Sequence, residues 1–212
     1  MKHFLALYLL LLFFKAEAQT DNYTWSLKFG GTSLSKIINS GATYDWYGHS
    51  KGPEFLVGLG YKNFHFNTSY KYFGNEIKEN LPYNNTEFYL PKGATVNMVF
   101  WNLSLSYEKE IIQRLFIEPT VGYLKNHITS NVEYLNGDEF EIRDINGVTV
   151  GANLIKYFKL QEGLFLGLYV NSTYNFVNYQ QLNSDLKNNS IGYSIGAIIK
   201  GTNAKKRETV WM

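Results

Sequence analysis

The feature that most constrains this chain is a layout. Eight segments, each with two chemically different faces, are joined by connections that alternate long and short. The segments are Tyr23 to Gly31, Glu54 to Lys62, Phe64 to Phe73, Val96 to Tyr107, Leu115 to Lys125, Gly147 to Tyr157, Leu164 to Phe176 and Ser190 to Gly201. In the last, Ile191, Tyr193, Ile195, Ala197 and Ile199 share one parity, and Gly192, Ser194, Gly196 and Lys200 share the other. A period of two is the signature of a β-strand. The polar parity is mostly Gly, Ser, Thr and Asn. Such residues are too small and too weakly charged for an ordinary solvated face. They suit a narrow lumen, with the apolar parity turned outward.

Four long segments, Thr32 to Pro53, Gly74 to Thr95, Asn126 to Asn146 and Val177 to Asn189, alternate with three short ones at Lys62-Asn63, Glu108 to Arg114 and Phe158 to Gly163. This order puts the long connections at one end of an up-and-down barrel and the short ones at the other. Strands near ten residues suit a tilted bilayer crossing. The expected fold is an all-β, eight-stranded antiparallel transmembrane β-barrel with four long extracellular loops and three short periplasmic turns. Pro119 lacks a ladder donor and is expected to mark a bulge or an irregular pairing.

The N-terminus supports export. Lys2 precedes an apolar run from Phe4 to Phe14, and Ala16-Glu17-Ala18 is a small-x-small cleavage site. The run is too short for a spanning helix. The expected organisation is a signal peptide over 1–18, a barrel over 19–201 and a polar tail over 202–212. The chain has no Cys, so thiol catalysis and Cys-based metal sites are excluded. A formal charge of +2 implies no nucleic-acid partner. The excess is aromatic, 17 Tyr and 15 Phe, as expected of strands with wet ends.

In this layout the chain resembles the small eight-stranded outer-membrane barrels, the OmpA-, OmpX- and OmpW-like proteins and the single-domain barrels of Bacteroidota. The resemblance implies a Gram-negative outer-membrane location. It also implies membrane lipid and lipopolysaccharide as surroundings, the barrel-assembly machinery as a partner, and no cofactor. One departure stands out. Such barrels usually end on an aromatic residue of the last strand, whereas G-T-N-A-K-K-R-E-T-V-W-M closes this chain.

Candidate sites follow from parity and position. Lys28, His65, Lys71, Glu118 and Lys200 lie on lumen-facing positions. An eight-stranded lumen is just wide enough for side chains, so these charges must pair. Lys28, Lys71 and Glu118 form the expected lumen charge network, with Lys28 and Glu118 at similar heights. Asn67, Asn102 and Asn171 read as lumen polarity. Trp25, Tyr61, Trp101, Tyr107, Tyr123 and Tyr157 read as outward belt residues, with Trp101 placed mid-strand. Tyr44, Trp46, Tyr47 and His49 in the first long segment form the expected site for an extracellular ligand or surface, because exposed aromatics are enriched at binding sites. His127, Thr129 and Glu141 resemble in spacing the His, Ser and Glu of outer-membrane lipid A deacylases, with Thr in place of Ser. The leading function is therefore a non-enzymatic outer-membrane barrel, structural or binding through its loops. A lipid-modifying enzyme and a soluble lipocalin-like carrier are the alternatives. The carrier requires the apolar parity to face inward.

Overall fold

The structure is a computed structural model that describes residues 23–35, 51–76, 80–82, 89–133, 139–181 and 188–203. Eight long strands form the barrel: β1 Tyr23–Ser35, β2 Lys51–Tyr61, β3 Phe64–Glu76, β4 Thr95–Tyr107, β5 Leu115–Glu133, β6 Glu139–Gln161, β7 Leu164–Val177 and β8 Ser190–Thr202. Each pairs antiparallel with its chain neighbours. The ring closes where β1 meets β8, from Thr24 opposite Thr202 to Ser35 opposite Ile191. The described residues contain no α-helix, and only a 3-10 turn at Tyr179–Gln181.

Closure fixes the geometry. Following paired residues once round the ring from Phe100 on β4 leads to Glu110, ten residues further along the same chain. A stagger of this size over eight strands corresponds to a tilt of roughly 40°. It leaves an interior that side chains can fill.

Three tight reversals lie at one end, together with Tyr23 and Thr202. Lys62 and Arg114 adopt φ of 56° and 60°, and Gly163 takes φ 73° in the third turn. These are the left-handed values that tight reversals require. The opposite end carries the connections after β1, β3, β5 and β7.

Several expected boundaries shift. β1 continues to Ser35, and β2 begins at Lys51 within the segment read as loop. β3 reaches Glu76, and a small pair, Leu81–Pro82 with Tyr89–Leu90, sits between it and β4. Asn126 to Asn146, read as a long loop, is largely strand, because β5 and β6 pair on as a hairpin beyond the ring. The charged segment after Tyr107 contains a strand, Lys109–Ile112, which pairs with the start of β5. Pro119 sits opposite Ala152 with no register shift; the shifts fall between Asn126 and Ile128 and between Thr129 and Glu133. The proposed leader at 1–18 and most of the tail lie outside the described residues.

The two faces divide as the parity predicts. Outward, Phe29, Leu59, Phe66, Leu105, Val121, Leu168 and Ile195 are all exposed. Buried inside are Ser26, Lys28, Asn67, Ser69, Ser104, Glu118, Asn153 and Ser194. This is the reverse of a soluble carrier, whose apolar side chains would line the cavity. Soluble monomers rarely expose apolar patches beyond a few hundred Å². Here the apolar surface runs round the whole ring.

Aromatic rims bound this band. At the turn end, the Tyr23 ring packs tilted against Tyr61, 5.3 Å between centroids, and Phe64 against Tyr107 at 5.1 Å. Towards the loop end, Tyr70, Trp101 and Tyr123 are exposed, and Trp101 Nε1 donates to Thr68 Oγ1 at 3.0 Å. Trp101 is mid-strand, the seventh of the thirteen residues of β4, yet its partner on β5 is the charged Lys125, so the apolar band ends beside it. Tyr157 is no belt residue: it is 4% exposed, inside the barrel.

Candidate functional site: the charged lumen

Three Lys–Glu pairs climb the interior. Inward parity supplies them all, since residues two apart on one strand share a face. Glycines supply the room. A Cβ on Gly30 would lie 2.5 Å from the Tyr169 hydroxyl, and one on Gly60 would lie 2.7 Å from His65 Nδ1.

Nearest the turns, the Glu108 carboxylate accepts from Lys200 Nζ and, at 2.9 Å, from the Tyr157 hydroxyl. His65 Nε2 lies 3.7 Å from the same carboxylate. The Lys200 ammonium also sits over the Tyr157 ring, 5.1 Å from its centroid.

In the middle, Lys28 Nζ meets Glu118 Oε2 at 2.7 Å. Glu118 also accepts from Ser106 at 2.6 Å and from Asn153 at 2.8 Å. Asn67 donates to Ser106 and Asn171 donates to Asn153, so both residues of this rank are held from behind. Every oxygen of the carboxylate has a donor, as a buried charge requires.

Higher still, Lys71 Nζ lies 3.1 Å from Glu54 Oε1. Tyr169 donates to Glu54 at 3.3 Å, and Lys71 reaches Ser194, which donates to Thr32. Above this rank apolar side chains join polar ones such as Asn126, Thr149 and Asn175 in the interior. Phe73, Val96, Met98, Phe100, Ile128 and Ile145 are all buried.

The three residues expected to share one network fall in two separate pairs. Lys28 and Glu118 pair, while Lys71 belongs to a separate pair with Glu54. Glu54, Glu108, Tyr157, Tyr169 and Asn153 were missed. Glu108 looked like a turn residue, yet it continues the inward parity of Ser104 and Ser106. Glu54 opens the inward series Leu56, Gly58 and Gly60. Tyr157 and Tyr169 are masked by their composition, since a large aromatic on a polar face reads as an exception.

The charges cancel pair by pair, so the interior is a filled, internally neutral column rather than a site with an unmet charge. Among the described residues no cluster of three or more His, Cys, Asp or Glu could hold a metal ion. Tyr44, Trp46, Tyr47 and His49 lie outside the described residues.

A second polar group lies outside the barrel, on the loop side of the Trp101 rim. His127 Nδ1 is 2.7 Å from Asp144 Oδ1, and Lys125 Nζ is 2.6 Å from Asp144 Oδ2. The hydrogen bonds from Lys125 and His127 hold the Asp144 carboxyl below its ordinary range. Glu141 pairs in register with Thr129 on the neighbouring strand, and the acid bonded to His127 is Asp144.

No protein-family model matches the sequence, and comparison with curated proteins finds no match. Solved structures do match in fold. Neisserial surface protein A aligns with a TM-score of 0.50 at 10% identity, covering 86% of this chain and 97% of that one. Ail of Yersinia pestis aligns at 0.46 with 10% identity over 85% and 99% of the two chains. The N-terminal β-barrel domain of Pseudomonas aeruginosa OprF aligns at 0.43 with 13% identity over 86% and 99%. All three are small eight-stranded outer-membrane barrels. At such identities the likeness to the neisserial protein speaks to the fold alone: a closed eight-stranded antiparallel barrel.

Proposed function

We propose that this chain is a non-enzymatic barrel of the Gram-negative outer membrane, with its turn end in the periplasm and its loop end outside. One observation carries the reading: an uncharged apolar ring, edged by aromatics, surrounds an interior of paired charges. Lipid is the solvent in which that inversion is stable. The leader at 1–18 supplies the export route. The lumen is a structural plug, since each ammonium is already matched by a carboxylate. Binding then falls to the loops, with Tyr44, Trp46, Tyr47 and His49 as the recognition group for an extracellular ligand or surface.

Fractionation tests the location. The protein is expected in the outer-membrane pellet, resistant to alkaline carbonate wash and released by detergent. Release into the soluble periplasmic fraction without detergent would exclude the reading. Replacing residues 41–50 by a short Gly-Ser turn tests the loop. Cells carrying that variant should lose adhesion to an immobilised glycan and protein panel, while the barrel keeps heat-modifiable migration on gels. Unchanged adhesion removes this loop from the account.

The His127–Asp144 pair favours a second reading. An acid that orients an imidazole is half of a hydrolytic relay, and Thr129 follows two residues on. Placed beyond the aromatic rim, it would meet acyl esters of lipid A or phospholipid. A difference in the lipid mass spectra of cells carrying wild-type and His127→Ala protein would establish it. Identical spectra dismiss it.

A further inference from the structure

Above the Lys71–Glu54 pair lies a cavity of about 20 Å³. It is lined by Ser69, Lys71, Asn102 and Thr149, among others, with Phe73 and Phe100 as apolar walls. Two buried oxygens here have no protein partner: Asn102 Oδ1 and Thr149 Oγ1. Thr149 is 2% exposed, so bulk water does not reach its hydroxyl. An unpaired buried polar group costs about 1–3 kcal/mol, and both of these belong to residues that line the one cavity.

The chemistry of the lining selects what fills it. A cation would share the cavity with Lys71, itself a cation. A halide accepts hydrogen bonds only, and would leave the Asn102 carbonyl oxygen unmet. Water both donates and accepts. It satisfies Asn102 Oδ1 as a donor and takes the Thr149 hydroxyl proton as an acceptor. Space agrees, since a cavity of about 10–15 Å³ is enough for one molecule. We infer that this cavity is an internal water site, held by Thr149 and Asn102 beside Lys71.

The site matters for the uppermost ion pair. Lys71 and Glu54 stand where Phe73, Phe100 and Leu124 first enter the otherwise polar lining. A held water raises the local polarity on the side of that pair that would otherwise meet apolar wall. The water site makes the top of the charged column tolerable without opening the lumen to the outside.

Synchrotron hydroxyl-radical labelling of the folded barrel in detergent micelles, read by mass spectrometry, tests this. A held water is converted to radical in place, so Phe73 and Phe100 should be oxidised despite their burial, at 2% exposure or less. In the Asn102→Leu/Thr149→Val double variant their labelling should fall at least threefold. Thr149→Ser, which keeps the hydroxyl, should keep the wild-type rate in an otherwise unaltered chain. Only samples with unchanged heat-modifiable migration are compared. Unlabelled Phe73 and Phe100 in the wild-type barrel, or equal labelling in the double variant, would overturn the inference.

Discussion

Glu118 shows what a single residue must satisfy inside this barrel. It is 2% exposed, and three side chains donate to it. Removing its cationic partner leaves the carboxylate uncompensated, so Lys28→Met should cost about 3–5 kcal/mol. Reversing both charges, Lys28→Glu with Glu118→Lys, should recover more than half of what either single reversal loses. Urea unfolding in lipid vesicles measures this; a double reversal as damaging as the single ones would show that the pair does not act as one. Asp144 gives a pH-dependent counterpart outside the band. Its folded carboxyl is held below the ordinary Asp value of about 3.9. A lowered carboxyl contributes stability that is present above the ordinary value and lost as pH falls through the folded one. Amide protection in the β5–β6 extension, taken relative to the intrinsic exchange rate at each pH, should therefore hold down to about pH 4 and fall below it. Asp144→Asn should abolish that acid dependence, and an unchanged acid limb in the variant would count against the clasp.

At the scale of the strand, parity made most of the fold readable, and its failures have identifiable causes. Ile191, Tyr193 and Ile195 announce β8 because their neighbours are Gly and Ser. Asn126 to Asn146 reads as loop because polar residues dominate it and Asn136-Gly137-Asp138 interrupts it, although Ile128, Val132, Tyr134, Phe140 and Ile142 share one parity. What makes it strand is pairing between β5 and β6, a non-local term that no window of sequence contains. Tyr157 failed differently: its parity pointed inward, but its residue type suggested a membrane rim. The Lys28–Glu118 pair was legible because both residues sit on unambiguous strands at similar heights. Lys71's partner was not, because Glu54 sat at the boundary of its expected strand. Glycine gives a test at this scale. A Cβ on Gly196 would fall 2.0 Å from the Phe29 carbonyl oxygen, whereas one on Gly31 meets nothing within 4 Å. Gly196→Val should reduce the fraction that migrates as folded barrel on unheated gels, and Gly31→Val should leave it near wild type. Equal tolerance at both positions would mean that β1 and β8 do not approach as closely as their register requires.

The whole molecule is a membrane protein only if its outer ring meets acyl chains. The plugged lumen, the aromatic rims and the loops as binding elements all follow from that inversion. Two tryptophans report on it directly, because Trp25 and Trp101 are both exposed on the outer face, towards opposite ends of the band. Of the four tryptophans in the chain, Trp46 and Trp211 are removed by Trp→Phe substitution, and single-tryptophan proteins are then refolded into vesicles of brominated phosphatidylcholine. Both Trp25 and Trp101 should be quenched, most strongly when bromine lies high on the acyl chain near the headgroup, and aqueous iodide should have little effect. Quenching of both by iodide, with none by bromolipid at any depth, would contradict a barrel whose apolar face is turned to lipid.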